Sequence, residues 1–153
     1  MKLEYIEPFV TAVTTVLTAV LRSDVVRDDF VLLRGHELSG DIVVMIGLAE
    51  QQSESIILNM DAETANRIGA AMTDDACSGL DVDCMDALGE LANMIAGNAV
   101  SALWDLGYTF TINPPAAVNR GDIPAVTAGL ELFQVPVRTD FGGVTVNFTM
   151  KTA

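Results

Sequence analysis

The chain has 153 residues, half of them hydrophobic and 19% charged, and this length predicts a single domain over residues 1–153, because a chain of this size buries roughly two thirds of its unfolded surface. Its 8 basic and 21 acidic residues leave a net charge of -13. Such a surface repels nucleic acid and anionic membranes, and it is explained either by solubility or by a partner that carries basic patches.

The first segment predicts an amphipathic helix over Tyr5–Arg22, where apolar residues recur at helical spacing. Pro8 is tolerated there because it falls in the opening turn. Glu4 and Glu7 stand where a secretory signal carries basic residues, and no apolar run approaches the roughly 20 residues that cross a bilayer. We therefore expect a cytoplasmic protein without a membrane segment.

Three β-rich segments follow the first helix. They are Phe30–Leu38, Ile42–Leu48 and Ser55–Met60, each rich in β-branched or large apolar residues. Ser39-Gly40-Asp41 supplies turn residues between the first two. The sequence therefore predicts an antiparallel meander in this part of the chain.

Two further helices are predicted after these strands. Asp61 stands before an acidic first turn, as an N-cap residue does, and the helical pattern continues to about Met72. After an Asp-rich connector, Asp81–Asp83 opens the longest helical pattern of the chain, which reaches about Leu106 before Gly107 ends it.

The C-terminal third supplies the remaining strands. Tyr108–Ile112 is a short β-rich segment before the Pro114-Pro115 break, and Leu130–Thr139 and Val144–Lys151 are long strands joined by a Gly-rich turn. Pro136 cannot donate to a ladder, so its strand is expected at a sheet edge or to be bulged at that point. The order of elements predicts an α+β domain in which a largely antiparallel six-stranded sheet packs against three helices.

The third helix separates a buried face from a polar row. At about 100° per residue, Asp86, Glu90 and Asn93 follow one another along the side opposite the apolar sector. Gly97 continues this row and removes side-chain bulk one turn further on. Glu90 and Asn93 are neighbours, and a carboxylate beside a carboxamide can position a water and accept a cationic group. The predicted buried positions are Leu88, Leu91, Ala92, Ile95, Ala99, Ala102 and Leu103.

The Glu-x-x-Asn spacing alone does not establish a functional site. Exposed helix faces are usually polar, and chance supplies about 0.4 such matches in a chain of this composition. Glu63 and Asn66 also match, at a helix start where Glu63 has an ordinary first-turn role. Trp104 projects on the same side as the row, either covered by a loop or as an anchor for a partner. From the residues alone, a catalytic pair and a solvated helix face both remain open.

Other residue types provide no competing active site. His36 is the only histidine, and it has no Ser or Cys nucleophile motif to serve, so we expect a surface or strand role. Cys77 and Cys84 lack the spacing of a zinc or redox motif and are expected to be reduced structural thiols. No phosphate-binding glycine loop follows a predicted strand, which disfavours nucleotide binding.

The longer string from Asp86 to Asn98, DALGELANMIAGN, resembles the central helix of the CheC/CheX/FliY family of chemotaxis phosphatases, and it is closest to the CheX branch. In that family an acidic residue or Ser, then Glu, then Asn stand at this spacing. Weaker similarities cover most of the chain. The resemblance implies hydrolysis of the phosphoaspartate of a CheY-like response-regulator receiver domain, which terminates the chemotaxis signal. By that resemblance Glu90 would bind the active-site lysine of the phosphorylated receiver, and Asn93 would orient the attacking water.

The resemblance also bears on the number of sites and on cofactors. CheC proteins carry a second motif in the first helix, whereas here Val10 stands three positions after Glu7, so one site per chain is expected. The magnesium ion would belong to the receiver, and no cofactor of its own is expected. Asp86, Gly97 and Trp104 are the further residues expected to contact the receiver.

A homodimer formed by sheet pairing is expected from the same resemblance. The alternating Val144, Val146 and Phe148 of the last strand would otherwise risk an exposed edge. Two alternatives to an enzyme remain: a non-catalytic module that docks on a receiver or flagellar-switch protein, and a structural dimerisation domain. The intact Glu90–Asn93 pair disfavours the first of these, because docking alone does not require both side chains.

Overall fold

The computed structural model describes residues 6–34, 38, 40–48, 54–74, 81–118, 120–122, 125 and 127–151. Helices pack on one face of an antiparallel sheet, and the apolar side chains between the two layers form the main core. The helices are α1 (Ile6–Leu21), α2 (Ala62–Thr73) and α3 (Val82–Asp105). The strands are β1 (Val26–Arg27), β2 (Val31–Arg34), β3 (Ile42–Gly47), β4 (Ser55–Met60), β5 (Ala116–Ala117), β6 (Leu130–Thr139) and β7 (Gly142–Lys151).

The strand order is β1-β6-β7-β4-β3-β5, with β2 beside β1 on the same side of β6. Strands β3 and β4 pair along their whole lengths, as predicted. The predicted meander is wrong in its first strand, because β2 pairs with β6 at the far end of the sheet from β3. The α+β class is confirmed, and the described sheet has 7 strands since the edge segment is divided into β1 and β2.

The two long C-terminal strands form a hairpin in the interior of the sheet. Strand β7 lies between β6 and β4, and β6 is covered on its other side by β1 and β2. The expectation that these strands would risk an exposed edge is therefore wrong. Within the described residues, short strands form both edges of the sheet, with β1 and β2 at one and β5 at the other.

Pro136 faces the interruption between β1 and β2. The register leaves residues 28–30 of the edge segment opposite only two residues of β6, which is a bulge. At the bulge no ladder bond is required from the proline nitrogen, while the Pro136 carbonyl accepts from the Asp28 N–H at 2.9 Å. The strand is therefore interior rather than at an edge, and the bulge lies in its partner.

The segment after α3 differs from the prediction. Tyr108–Ile112 is irregular, and its alternating apolar side chains are partly buried against the main core. Strand β5 forms instead beyond the two prolines, flanked by backbone bonds from Asn113 to Gly47 and from Val118 to Val43, each 2.9 Å. This pairing lays residues 113–118 along β3, directly beside α3.

Helix α3 is held by caps at its start and by packing along its length. The Asp81 side chain accepts from the Cys84 N–H at 2.9 Å, and Gly107 adopts a φ of 92° just beyond the helix end. The helix contacts α1, α2 and the sheet. Of the seven positions predicted to be buried, all are buried except Ala102, which is half-buried.

Candidate active site on helix α3

The predicted polar row lies on the side of α3 that faces away from the core. Asp86, Glu90 and Asn93 are exposed, and Gly97 is half-buried. The residues between them, including Leu91 and Ile95, are fully buried and fix the rotation of the helix about its axis. The structure therefore brings the four residues onto one accessible surface, as the helical periodicity predicted.

The Glu90–Asn93 pair is free of competing contacts. Among the described residues, neither side chain takes part in an ion pair or a hydrogen bond. The chance match on α2 is different, because Glu63 pairs with Arg67 at 2.9 Å and the Asn66 amide oxygen lies 3.8 Å from the buried Cys84 sulfur. A carboxylate and a carboxamide without internal partners are available to a second molecule. The structure therefore distinguishes the pair on α3 from the pair on α2, although both have the same spacing in the sequence.

Gly97 leaves the surface beside Asn93 open. A Cβ at this position would meet nothing within 4 Å, so the row borders free space rather than a wall. Met94, next to Asn93, is 40% exposed. The pair therefore sits on an open platform that a protein surface can reach.

Trp104 lies further along the same helix and is 64% exposed. The interpretation in which a loop covers its ring is therefore wrong. Trp104 stands eleven positions after Asn93, which corresponds to about 16 Å along the helix axis. A large, uncovered aromatic side chain at that distance remains available as an anchor for a partner.

Sequence reasoning missed the segment that flanks the row. Residues 115–117 approach α3 at Gly89, where a Cβ would lie 3.3 Å from the Pro115 ring. Glycine at this position therefore permits a close approach between the segment and the helix, one residue before Glu90. The Pro-Pro pair was a visible signal of a fixed backbone, but nothing local indicated that this backbone would lie against α3.

The remaining candidates have structural roles or lie outside the described residues. Cys84 is buried, with its sulfur 3.5 Å from the Ala65 carbonyl oxygen, in keeping with a structural thiol. His36 and Cys77 fall outside the described residues. Across the described ranges, no group of three or more His, Cys, Asp or Glu side chains is placed to hold a metal ion. In the same ranges, no helix combines the length and the apolar character needed to cross a bilayer.

Comparison with known proteins identifies the family. A family model described as chemotaxis phosphatase CheX matches residues 42–138. The CheY-P phosphatase CheX of Thermotoga maritima is 30% identical over 102 residues, an alignment that covers 66% of this chain and 65% of that protein, so the match spans slightly less than two thirds of the relative.

Two solved structures extend the similarity over nearly the whole chain. The CheX crystal structure from Desulfovibrio desulfuricans has a TM-score of 0.79 and 26% identity, covering 95% of this chain and 98% of its own. The CheX–CheY–BeF3–Mg2+ complex from Borrelia burgdorferi has a TM-score of 0.80 and 28% identity, covering 99% of this chain and 100% of the matched chain. The resemblance noted in the α3 sequence is thus confirmed, and the chain belongs to the CheX family of chemotaxis phosphatases.

Proposed function

We propose that this protein hydrolyses the phosphoaspartate of a CheY-like receiver domain and so terminates a chemotaxis signal. The observation that carries the proposal is the Glu90–Asn93 pair, exposed and free of internal partners on a packed helix. Family membership supports it, as does the relative from Thermotoga maritima, which is a CheY-P phosphatase.

The two side chains have different roles in this proposal. The Glu90 carboxylate accepts a charge-assisted hydrogen bond from the receiver's active-site lysine, which orients the two proteins. The Asn93 carboxamide has both a donor and an acceptor, so it can hold a water in line with the phosphorus–oxygen bond that breaks. An acyl phosphate is already activated, so a positioned water and neutralised charge supply most of what hydrolysis requires.

The remaining parts of the site come from the receiver. The magnesium ion would be the receiver's own and would neutralise the phosphoryl oxygens there, and the Borrelia burgdorferi complex, which contains CheY, BeF3 and Mg2+, supports that assignment. In this proposal Asp86 and Gly97 contact the receiver next to the catalytic pair, and Trp104 contacts it at the far end of the helix. The cytoplasmic location expected from the sequence forms part of the same proposal.

An autophosphorylated receiver mixed with this protein tests the proposal directly. Faster release of inorganic phosphate than from the receiver alone is the expected result. Binding without faster release would favour the non-catalytic docking module. The absence of both binding and faster release would favour a purely structural domain. Running several receivers from the same cell in parallel identifies the substrate.

We further propose a homodimer that forms through the β1–β2 edge of the sheet. Leu32, Val31 and Phe30 are 62%, 42% and 45% exposed, an apolar edge that an isolated chain would present to other strands. Among the described strands, β2 has a partner on one side only. A second copy placed symmetrically on this edge would bury these side chains and extend the ladder.

A further inference from the structure

A small cleft opens beside the polar row of α3. It lies between α3 and the edge of the sheet, has a volume of about 180 Å³, and is lined by Met85, Asp86 and Gly89 from the helix, by Val44 from β3 and by residues 115–117. Asp86 belongs both to the cleft and to the exposed row, so the cleft and the catalytic pair share one continuous surface.

The cleft combines apolar walls with one carboxylate. Its walls are mostly apolar and are formed by Val44, Met85 and residues 115–117. The exposed Asp86 carboxylate is the acidic group among the lining residues. Such a combination fits an amphipathic cation, whose aliphatic stem lies on apolar surface while its charged head reaches a carboxylate. The net charge of -13 acts in the same direction, since it favours basic over acidic partners.

The size of the cleft restricts its occupant. Small-molecule sites usually enclose about 300–1,000 Å³, and this volume falls below that range. It corresponds to about six water molecules, which is room for one long side chain but not for a helix or a strand. The occupant is therefore better sought on the surface of a protein.

We propose that this cleft receives a lysine or arginine side chain of the receiver domain, with the stem against Met85 and residues 115–117 and the cationic head at Asp86. The inference rests on the proposed function, because the receiver is the partner that Glu90 and Asn93 bring to this surface. Asp86 precedes Glu90 by four residues, about 6 Å along the helix. The side chain would thus come from a receiver position close to, but distinct from, its active-site lysine.

In this arrangement the cleft is a specificity element rather than part of the chemistry. Receivers that share the phosphorylation site differ in the residues around it, and an acidic cleft favours those with a basic residue at the facing position. Asp86 and the 115–117 segment would therefore select among receivers, while Glu90 and Asn93 act on each receiver that docks.

Three variants test the cleft with the cognate receiver in a phosphate-release assay, together with a titration of the BeF3-loaded receiver. Asp86→Asn removes the charge, Asp86→Lys reverses it, and Ala117→Leu fills the cleft, because Ala117 pairs with Val44 and shares its helix-facing side of the sheet. Asp86→Asn should raise KM and Kd about twofold to fivefold, the range expected for an exposed ion pair. Asp86→Lys should raise them further, and kcat at saturating receiver should change little for all three.

Salt and a matched variant distinguish the cleft from general charge effects. The KM of the wild type should rise with ionic strength, and that of Asp86→Asn should rise less, since the screened contact is already absent. Glu63→Gln is the control for loss of one negative charge, because Glu63 is exposed on α2 and pairs only with its neighbour Arg67 among the described residues. A receiver variant with one Lys or Arg changed to Glu that restores binding to Asp86→Lys would identify the occupant.

The outcomes separate this inference from the proposed function. If the wild type releases phosphate but Asp86→Asn and Ala117→Leu keep its KM and Kd, the cleft inference is overturned while the phosphatase stands. If the wild type does not accelerate release, the phosphatase proposal fails and the titration alone decides the cleft. A melting temperature lowered by Asp86→Asn, with unchanged affinity, would assign Asp86 to folding and would also overturn the inference.

Discussion

Asn93 is the residue whose removal should separate binding from catalysis. If Asn93 orients the attacking water, as we propose, Asn93→Ala removes that group while the contacts that dock the receiver remain, so we expect a roughly 100-fold fall in kcat with little change in Kd. Phosphate release and receiver titration measure the two quantities. The double variant Glu63→Ala with Asn66→Ala, which changes the chance match on α2, should keep wild-type kcat. Wild-type turnover by folded Asn93→Ala would contradict the catalytic role of this helix.

Glu90 should behave differently from Asn93. Glu90→Ala removes the proposed charge-assisted contact with the receiver lysine, so both affinity and turnover should fall, the affinity by about tenfold. The difference in affinity between the two proteins should shrink at high salt, because salt screens the contact in the wild type and the variant no longer has it. Measuring Kd at low and high ionic strength tests this expectation. An affinity loss that is independent of salt would argue against an ionic contact at Glu90.

Asp61 provides a test of stability rather than of function. Its carboxylate accepts the Thr64 N–H at 2.8 Å at the start of α2, and this hydrogen bond lowers the pKa of Asp61. A lowered pKa in the folded state means that the stabilisation is present above the unfolded pKa of about 3.9 and is lost as pH falls through the folded value. Asp61→Ala should therefore cost about 1 kcal/mol at neutral pH.

The difference in the free energy of unfolding between wild type and Asp61→Ala should become smaller below about pH 4. In this range the wild type also loses the stabilisation from the ionised Asp61 carboxylate. Urea unfolding at pH 7 and pH 3 measures the free energies of both proteins. Asp61→Asn is the matched control, because it keeps a side-chain oxygen to accept from Thr64. A deficit that stays constant across this range would show that the carboxylate charge is not involved.

At the scale of the elements, the far face of the sheet carries a buried polar ladder. Asn147 is fully buried, donates to the Ile57 carbonyl at 3.1 Å and accepts from the Gln134 side chain at 3.0 Å. Ser55 and Thr149 are joined next to it across β4 and β7. These bonds link three strands side by side. A one-residue slip would break them, so the ladder helps to fix the register.

The ladder predicts a specific loss of stability. Asn147→Ala should lower the free energy of unfolding by about 1–3 kcal/mol, because it removes two side-chain hydrogen bonds made by a fully buried residue. Asn98→Ala, at an exposed position of α3, should cost about 0.5 kcal/mol or less. Chemical denaturation of the two variants provides the comparison. Equal, small losses would mean that the ladder adds nothing to stability beyond van der Waals packing.

The elements differ in how far the sequence could predict them. Both ends and both faces of helix α3 were predictable. A helix forms its backbone hydrogen bonds within one continuous segment, so the spacing of apolar residues in that segment is enough to identify it. The partner of β2 was not, since its pairing with β6 depends on a contact about 100 residues away along the chain. Tyr108–Ile112 alternates like a strand, but packing against the core explains the same pattern.

The candidate site shows the same division. Helical periodicity placed Glu90 and Asn93 on the exposed face of α3, and the similarity of residues 86–98 to the family identified them as the candidate pair. The approach of residues 115–117 to Gly89 was not, because it results from the antiparallel pairing of that segment with β3. Local patterns specify which side chains share a face, and long-range pairing specifies what stands beside them.

At the scale of the whole molecule, the exposed β1–β2 edge predicts a dimer. Wild-type protein should have twice the monomer mass in light scattering at micromolar concentration. Leu32→Lys places a charge on the edge strand, where its side chain is 62% exposed, and should yield a folded monomer. Thr15→Lys, at an exposed position of α1, is the control and should leave the mass unchanged. A wild-type monomer would contradict the proposed assembly.

The outward placement of the polar row on α3 also has an evolutionary consequence. The side chains that pack the core and those proposed to act on the receiver are almost separate sets, because they lie on opposite faces of α3. An enzyme that buries charged groups in a pocket must balance its stability against its activity. Here the row can vary at little thermodynamic cost, since exposed substitutions usually change stability by less than about 0.5 kcal/mol. Such a lineage could drift from one signalling partner to another while its core stays the same.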